Sequence, residues 1–328
     1  MRDTLQNRCE LFVENRDIIK SAFGWENSYL YPLCASLYAV QNRAADAAAM
    51  KESRELLKGR TGIFSNFRGA SKMASVTMLA LSPDPEDMLD RMLRVYTKLK
   101  ELFWGSEYLT VAAATIAGMA EPDQYDQIAR ATRAIYNRMK DAHPFLTSGE
   151  DSAFAALLAM SGLDDTQIEQ EMERCYVILK PSFFSGNAVQ SLSHVLALGE
   201  APADKKCRKA IELFEYLKER GYKYGTSYEL ATLGVLALLD TDVATLAGDM
   251  MEVDNYLKAK KGFGAFGVGA RQRLMYAGMM TMCEYAPPAM TMQAAALNGV
   301  VSLVVAQQAA ICASVAASSA AAASSSSS

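Results

Sequence analysis

Residues 36–40 read SLYAV, and the same kind of segment returns as TMLAL (77–81), TIAGM (115–119), LLAMS (157–161), VLALG (195–199), VLALL (235–239) and MYAGM (275–279). Each is apolar, small-residue sequence built on an alanine: Ala39, Ala80, Ala117, Ala159, Ala197, Ala237 and Ala277. The spacing is about forty residues, the length of a stacked two-helix unit that cannot bury its apolar face alone. The spacing therefore predicts an all-α chain of seven helical hairpins.

Outward from each marker, a polar amphipathic helix precedes the apolar one. Residues 84–102 carry Met88, Met92, Val95, Leu99 and Leu102 at spacings of three and four, with Lys and Arg between them. FWGS interrupts, and residues 107–119 then run almost wholly apolar. Later polar segments are predicted at 125–140, 166–179, 205–219 and 243–260, with apolar partners at 150–160, 187–198, 227–239 and 269–282. Such hairpins either coil as an open α-solenoid or close into an α/α toroid. Closure is favoured, because an open concave face would leave the apolar helices wet.

The joints repeat too. An aromatic stands fourteen residues before the marker in five units, as Trp25, Phe103, Phe145, Phe183 and Phe263. It reads as a packing wedge between units. Gly, Ser, Thr and Asn follow it, which is helix-capping chemistry.

Two domains are expected: a repeat domain over residues 1–284, and an uncharged Ala/Ser-rich C-terminal helix and tail over 285–328 that begins near Pro287 and Pro288. Membrane contact through residues 290–317 is the less favoured reading. Asn298, Ser302, Gln307 and Gln308 interrupt the segment, no Lys or Arg flanks it, and Ala contributes little to insertion. A helix docked on or plugging the array is preferred.

Composition narrows the function. Hydrophobic residues make up 51% of 328 and charged residues 21%, enough for a large interior and against disorder. The net charge is −4 and no dense basic face appears, so nucleic acid is not an expected partner. Six cysteines (9, 34, 175, 207, 283 and 312) and two histidines form no C-x-x-C pair or zinc cage, so no metal is expected. Scattered cysteines on apolar faces and an N-terminus without an apolar run point to the cytoplasm. The cofactor is left unknown by the sequence.

In an α/α array the N-termini of the apolar helices converge on one rim, where free amides and dipoles favour anions. Residues at that level are Lys72, Glu107, Glu150, Asp151, Asn187, Glu229 and Arg271. Glu107, Glu150, Asp151 and Glu229 are the catalytic candidates, as paired carboxylates serve as general acid and base. The competing reading is capping, since the macrodipole alone favours acids there. Asn187, His194, Arg271 and Arg273 are the binding candidates. His194 sits on an apolar face as a core histidine or a proton shuttle. Arg271 and Arg273 could meet an acidic ligand or the acidic rim, or instead form a structural ion pair. GFGAFGVGA (262–270) lacks the Lys-Ser/Thr and the preceding strand of a phosphate loop, and reads as a glycine-rich turn.

Four stretches, ENRDIIKSAFGWE (14–26), HPFLTSGEDSAFAALLAMS (143–161), FFSGNAVQSLSHVLALG (183–199) and GFGAFGVGARQRLMYAGMM (262–280), resemble an uncharacterised bacterial family. It is the domain-of-unknown-function family four thousand and three. The resemblance covers roughly residues 5–282, implies an all-helical bacterial protein, and carries no known reaction or ligand. The expectation is therefore a binding or scaffold module that holds a protein, peptide or small molecule on its concave face or rim. The alternative is a toroid enzyme with a carboxylate-lined cavity, acting on a carbohydrate or isoprenoid-like substrate.

Overall fold

The computed structural model describes residues 1–69, 71–264 and 267–285. Among them are fourteen α-helices and no strand: α1 (Asp3–Ala22), α2 (Leu30–Val40), α3 (Ala47–Arg60), α4 (Lys72–Leu81), α5 (Pro85–Leu102), α6 (Glu107–Met119) and α7 (Tyr125–Ala142), followed by α8 (Asp151–Ala159), α9 (Asp165–Leu179), α10 (Gly186–Ala197), α11 (Ala203–Glu219), α12 (Leu230–Leu238), α13 (Val243–Lys258) and α14 (Ala270–Tyr285). The predicted segment 107–119 matches α6, and the others agree within about three residues, the usual margin at frayed ends. The readings of residues 286–328 lie outside the described residues.

Odd- and even-numbered helices differ in kind. Helix α5 buries Leu89, Met92, Val95 and Leu99 along one stripe, and its other faces are polar. Helix α6 buries every residue from Leu109 to Ala117, and α10 every residue from Ala188 to Ala197. A helix buried all round has protein on every side. Starts are fixed locally. Asp46, Asp84 and Asp164 accept backbone N–H bonds at the heads of α3, α5 and α9, and Ser106 and Ser185 do so for α6 and α10.

Each odd helix packs on the even helix that follows it, and each kind also packs on the next of its own kind. In addition α14 lies against α2, and both α13 and α14 lie against α1, so the last hairpin touches the first. Close approach between even helices needs small residues. A side chain on Gly234 of α12 would sit 2.8 Å from Leu192 and 3.0 Å from Val195 of α10.

The even helices end on a recurring device. Arg8 donates to the Ala39 carbonyl at 2.8 Å, Arg43 to Leu81, Arg91 to Ala120 at 2.6 Å, Lys206 to Gly199 at 2.8 Å and Lys209 to Leu239. These cations satisfy carbonyls that a helix C-terminus leaves unbonded.

Candidate functional site

The joints leading from odd to even helices touch one another in series. Lys72 Nζ meets Glu26 Oε1 at 2.6 Å. Asn66 donates to Tyr96 Oη at 2.7 Å and lies close to Gly105. Tyr108 approaches Gly149, Leu146 approaches Gly186, and Gln190 donates to Thr147 Oγ1 at 2.8 Å. Gln272 donates to Tyr228 Oη at 3.0 Å, and Arg16 to the Lys261 carbonyl at 2.8 Å. These contacts tie neighbouring units together near the heads of the even helices.

Three of the four candidate carboxylates act on one phenol, that of Tyr108. Burial raises the Tyr108 phenol, and the charges of Glu150, Glu107 and Asp151 raise it further. Glu107 is half-buried and lies against Gly69, where any side chain would collide with its carboxylate. Burial pushes the half-buried Glu150 carboxyl upward. Glu229 stands apart on α12: it is buried against Gly225 and accepts the Ser227 N–H at 3.1 Å.

Asp151 is buried at the head of α8 and accepts the Ser148 N–H at 2.8 Å. Burial pushes its carboxyl up to about 7, with the Glu150 charge adding and the Ser148 bond opposing. His194 Nδ1 lies 3.6 Å away with no hydrogen-bond partner, and the ring packs on Phe154. Burial lowers that imidazole to about 3, with His143 adding to the shift. The distance is too long for a hydrogen bond, and desolvation drives both groups neutral. Below about pH 7 the pair is a neutral contact rather than an ion pair.

The remaining candidates separate. Asn187 and Arg271 are exposed, whereas Arg273 is buried. Arg273 grips Asp254 through Nε at 2.8 Å and Nη2 at 3.1 Å, and donates Nη1 to the Phe263 carbonyl at 3.0 Å. That bidentate pair ties α14 to α13. Among the described residues no group of three or more His, Cys, Asp or Glu is placed to hold a metal, and no helix is long and apolar enough to cross a membrane.

The joints also carry side chains that the fourteen-residue spacing misread. Phe183, Phe263 and Phe67 are buried, as wedges would be, but Phe145 and Trp25 are exposed at 98% and 67%. Trp104 (97%), Phe184 (98%) and Phe64 (100%) join them, with Tyr29 partly exposed. Five successive joints thus present an aromatic ring to water. In two joints the signal was a second aromatic, visible in FW (103–104) and FF (183–184), one position beyond the assigned wedge.

A family sequence model described as protein of unknown function (DUF4003) matches residues 15–309, most of the chain. The chain belongs to the DUF4003 family. It is 24% identical over 308 residues to the uncharacterized protein YeaA of Bacillus subtilis (strain 168), covering 88% of this chain and 92% of that relative. No solved structure matches it. Membership in DUF4003 names the relationship and assigns no reaction, so the chemistry of the rim must be read from the residues themselves.

Proposed function

We propose that the seven hairpins of residues 1–284 close into an α/α toroid, and that the protein is a binding module whose aromatic rim captures a protein partner. Closure is supported by the contacts of α14 with α2 and of α13 with α1. The observation that carries the binding role is the exposed series Trp25, Phe64, Trp104, Phe145 and Phe184 on five consecutive joints. Phe64, Trp104, Phe145 and Phe184 stand almost wholly in water and contribute little to the free protein, and rigid aromatics are the residues on which interfaces concentrate their energy. Glu107 follows Trp104 by three positions and Glu150 follows Phe145 by five, so the matching partner is an apolar segment flanked by basic residues. The described cysteines are all unpaired, in keeping with a cytoplasmic setting.

The enzyme alternative draws on the raised Asp151 and Glu150 carboxyls. It is the weaker reading, because Asp151 is 2% exposed and Glu229 is not among the acids that act on Tyr108.

Both tryptophans of the chain, Trp25 and Trp104, lie on this rim, so intrinsic fluorescence reports on it directly. On a peptide array the wild type should select basic, aromatic-rich peptides, and those peptides should shift its emission to the blue. A variant carrying F64S, W104S, F145S and F184S should keep its melting temperature and lose the selection. No selection by the wild type, or equal selection by both proteins, would remove the proposal.

A further inference from the structure

The rim carries a second, differently charged feature where the last joint meets the first helix. There α1, the end of α13 and Gly262, Gly264 and Gly267 line an open cavity of about 690 Å3. Its charged lining is Arg16, Asp17 and Lys20 from α1, with Lys258, Lys260 and Lys261 from the end of α13 and its joint. Five cations face one acid, in a protein whose net charge is −4. Asp17 is already engaged by Arg16 Nε at 2.8 Å. Arg16 is itself immobilised, donating to the Lys261 carbonyl at 2.8 Å and lying 4.7 Å over the Phe263 ring.

The four lysines have no carboxylate partner among the described residues, and Lys260 Nζ rests 4.3 Å over the Tyr256 ring. The helix dipole accounts for Lys20 and Lys258, which stand in the last turns of α1 and α13. It does not account for Lys260 and Lys261, beyond the end of α13. Like charges around a concavity repel one another, and the low-dielectric walls focus their field on whatever enters.

The backbone is shaped for close approach. Gly262 has φ +88°, its carbonyl accepts the Val268 N–H at 2.9 Å, and Gly267 packs so tightly on it that no side chain would fit. The cavity is therefore walled on one side by glycine backbone. We infer that this cavity binds a small soluble anion carrying phosphate groups. Several point-like ammoniums with the guanidinium already committed suit a multiply charged phosphate better than a single carboxylate. The site is independent of the aromatic rim. Because its lining comes from both α1 and the last hairpin, a bound anion would link the two ends of the array and raise stability by mass action.

Pyrophosphate titrated calorimetrically at constant ionic strength tests the inference, with sulfate for comparison. Saturable binding of one pyrophosphate per chain is expected, together with a higher melting temperature. A K260A/K261A variant should bind at least about tenfold more weakly while keeping the ligand-free melting temperature, and Lys20→Ala should weaken binding from the α1 side. Sedimentation with phosphatidic acid vesicles separates the sources of the phosphate. Vesicle binding that pyrophosphate displaces would overturn the soluble ligand in favour of a lipid head group, and absence of vesicle binding supports it. No saturable pyrophosphate binding, or equal affinity in wild type and both variants, overturns the site.

Discussion

Thr4 Oγ1 donates a 2.6 Å hydrogen bond to Glu284 Oε2, so the first turn of α1 is held by the end of α14, 280 positions away. Around that bond the Met1 ammonium meets Glu252 at 2.8 Å, and Arg2 meets Asp249 and Tyr285. Beneath it Phe12 of α1 packs between Phe263, at 5.6 Å, and Tyr276, at 5.2 Å. The two ends of the described chain share one core.

Phe12→Ala should therefore act at both ends. Its ring is fully buried, and truncating such a ring costs about 3–5 kcal/mol through lost transfer energy and the cavity left behind. Urea unfolding followed by circular dichroism should show this loss within a single transition. A loss under about 1 kcal/mol, or a separate early transition for α1, would show that the first helix is not integral to the body.

The buried pair Asp151 and His194 makes a signed prediction about pH. The raised carboxyl contributes stability that is full below its unfolded pKa near 4 and lost as the pH climbs to about 7. The lowered imidazole contributes stability that is full above its unfolded value near 6.5 and lost as the pH falls to about 3. Between those unfolded values the unfolded chain holds carboxylate and imidazolium, while the folded chain holds acid and imidazole. The proton counts match, so the intact pair imposes no slope. Asp151→Asn should make stability fall with acidification, and His194→Gln should make it fall with rising pH, each by up to about 1.4 kcal/mol per pH unit. Denaturant midpoints between pH 4 and 6.5 check this, and identical profiles for both variants would refute it.

Arg91 bonds the Ala120 carbonyl at 2.6 Å and the Tyr125 hydroxyl at 3.0 Å, closing the end of α6. Arg91→Met keeps much of the apolar stem and removes both bonds. Loss of charge-assisted bonds of this kind costs about 1.5–3 kcal/mol, so a midpoint shift equivalent to less than about 0.5 kcal/mol would mean that water replaces the arginine freely.

Gly234→Ala sets two effects against each other. Alanine is favoured over glycine in a helix by about 1 kcal/mol. The new methyl would press on Leu192 and Val195 of α10, and overpacking costs about 1–3 kcal/mol. The expected outcome is a net loss of stability by calorimetry. A gain would show that α10 and α12 part easily.

How much of this was readable in advance differs between fold and site. The helix pairs were legible because apolar periodicity and capping residues are local features, and Asp84 with Pro85 marks the head of α5 without reference to any other helix. The acids at the heads of the even helices were legible as a class for the same reason. Their separate fates were not. Asp151 and Glu229 are buried in different surroundings, and Arg273 is engaged with Asp254, because neighbours distant in sequence supply the desolvation and the partners.

The sequence alone determined the helices, their order and which of them would be buried all round, since these follow from residue spacing within each segment. Tertiary structure decided the rest. It set the last hairpin against the first, and it buried Phe183 while leaving Phe184 98% exposed, although the two rings are adjacent and identical. It also assembled the basic cavity from α1 and a joint more than two hundred residues further on. Burial and charge environment are sums over everything nearby in space, and no local pattern contains those sums.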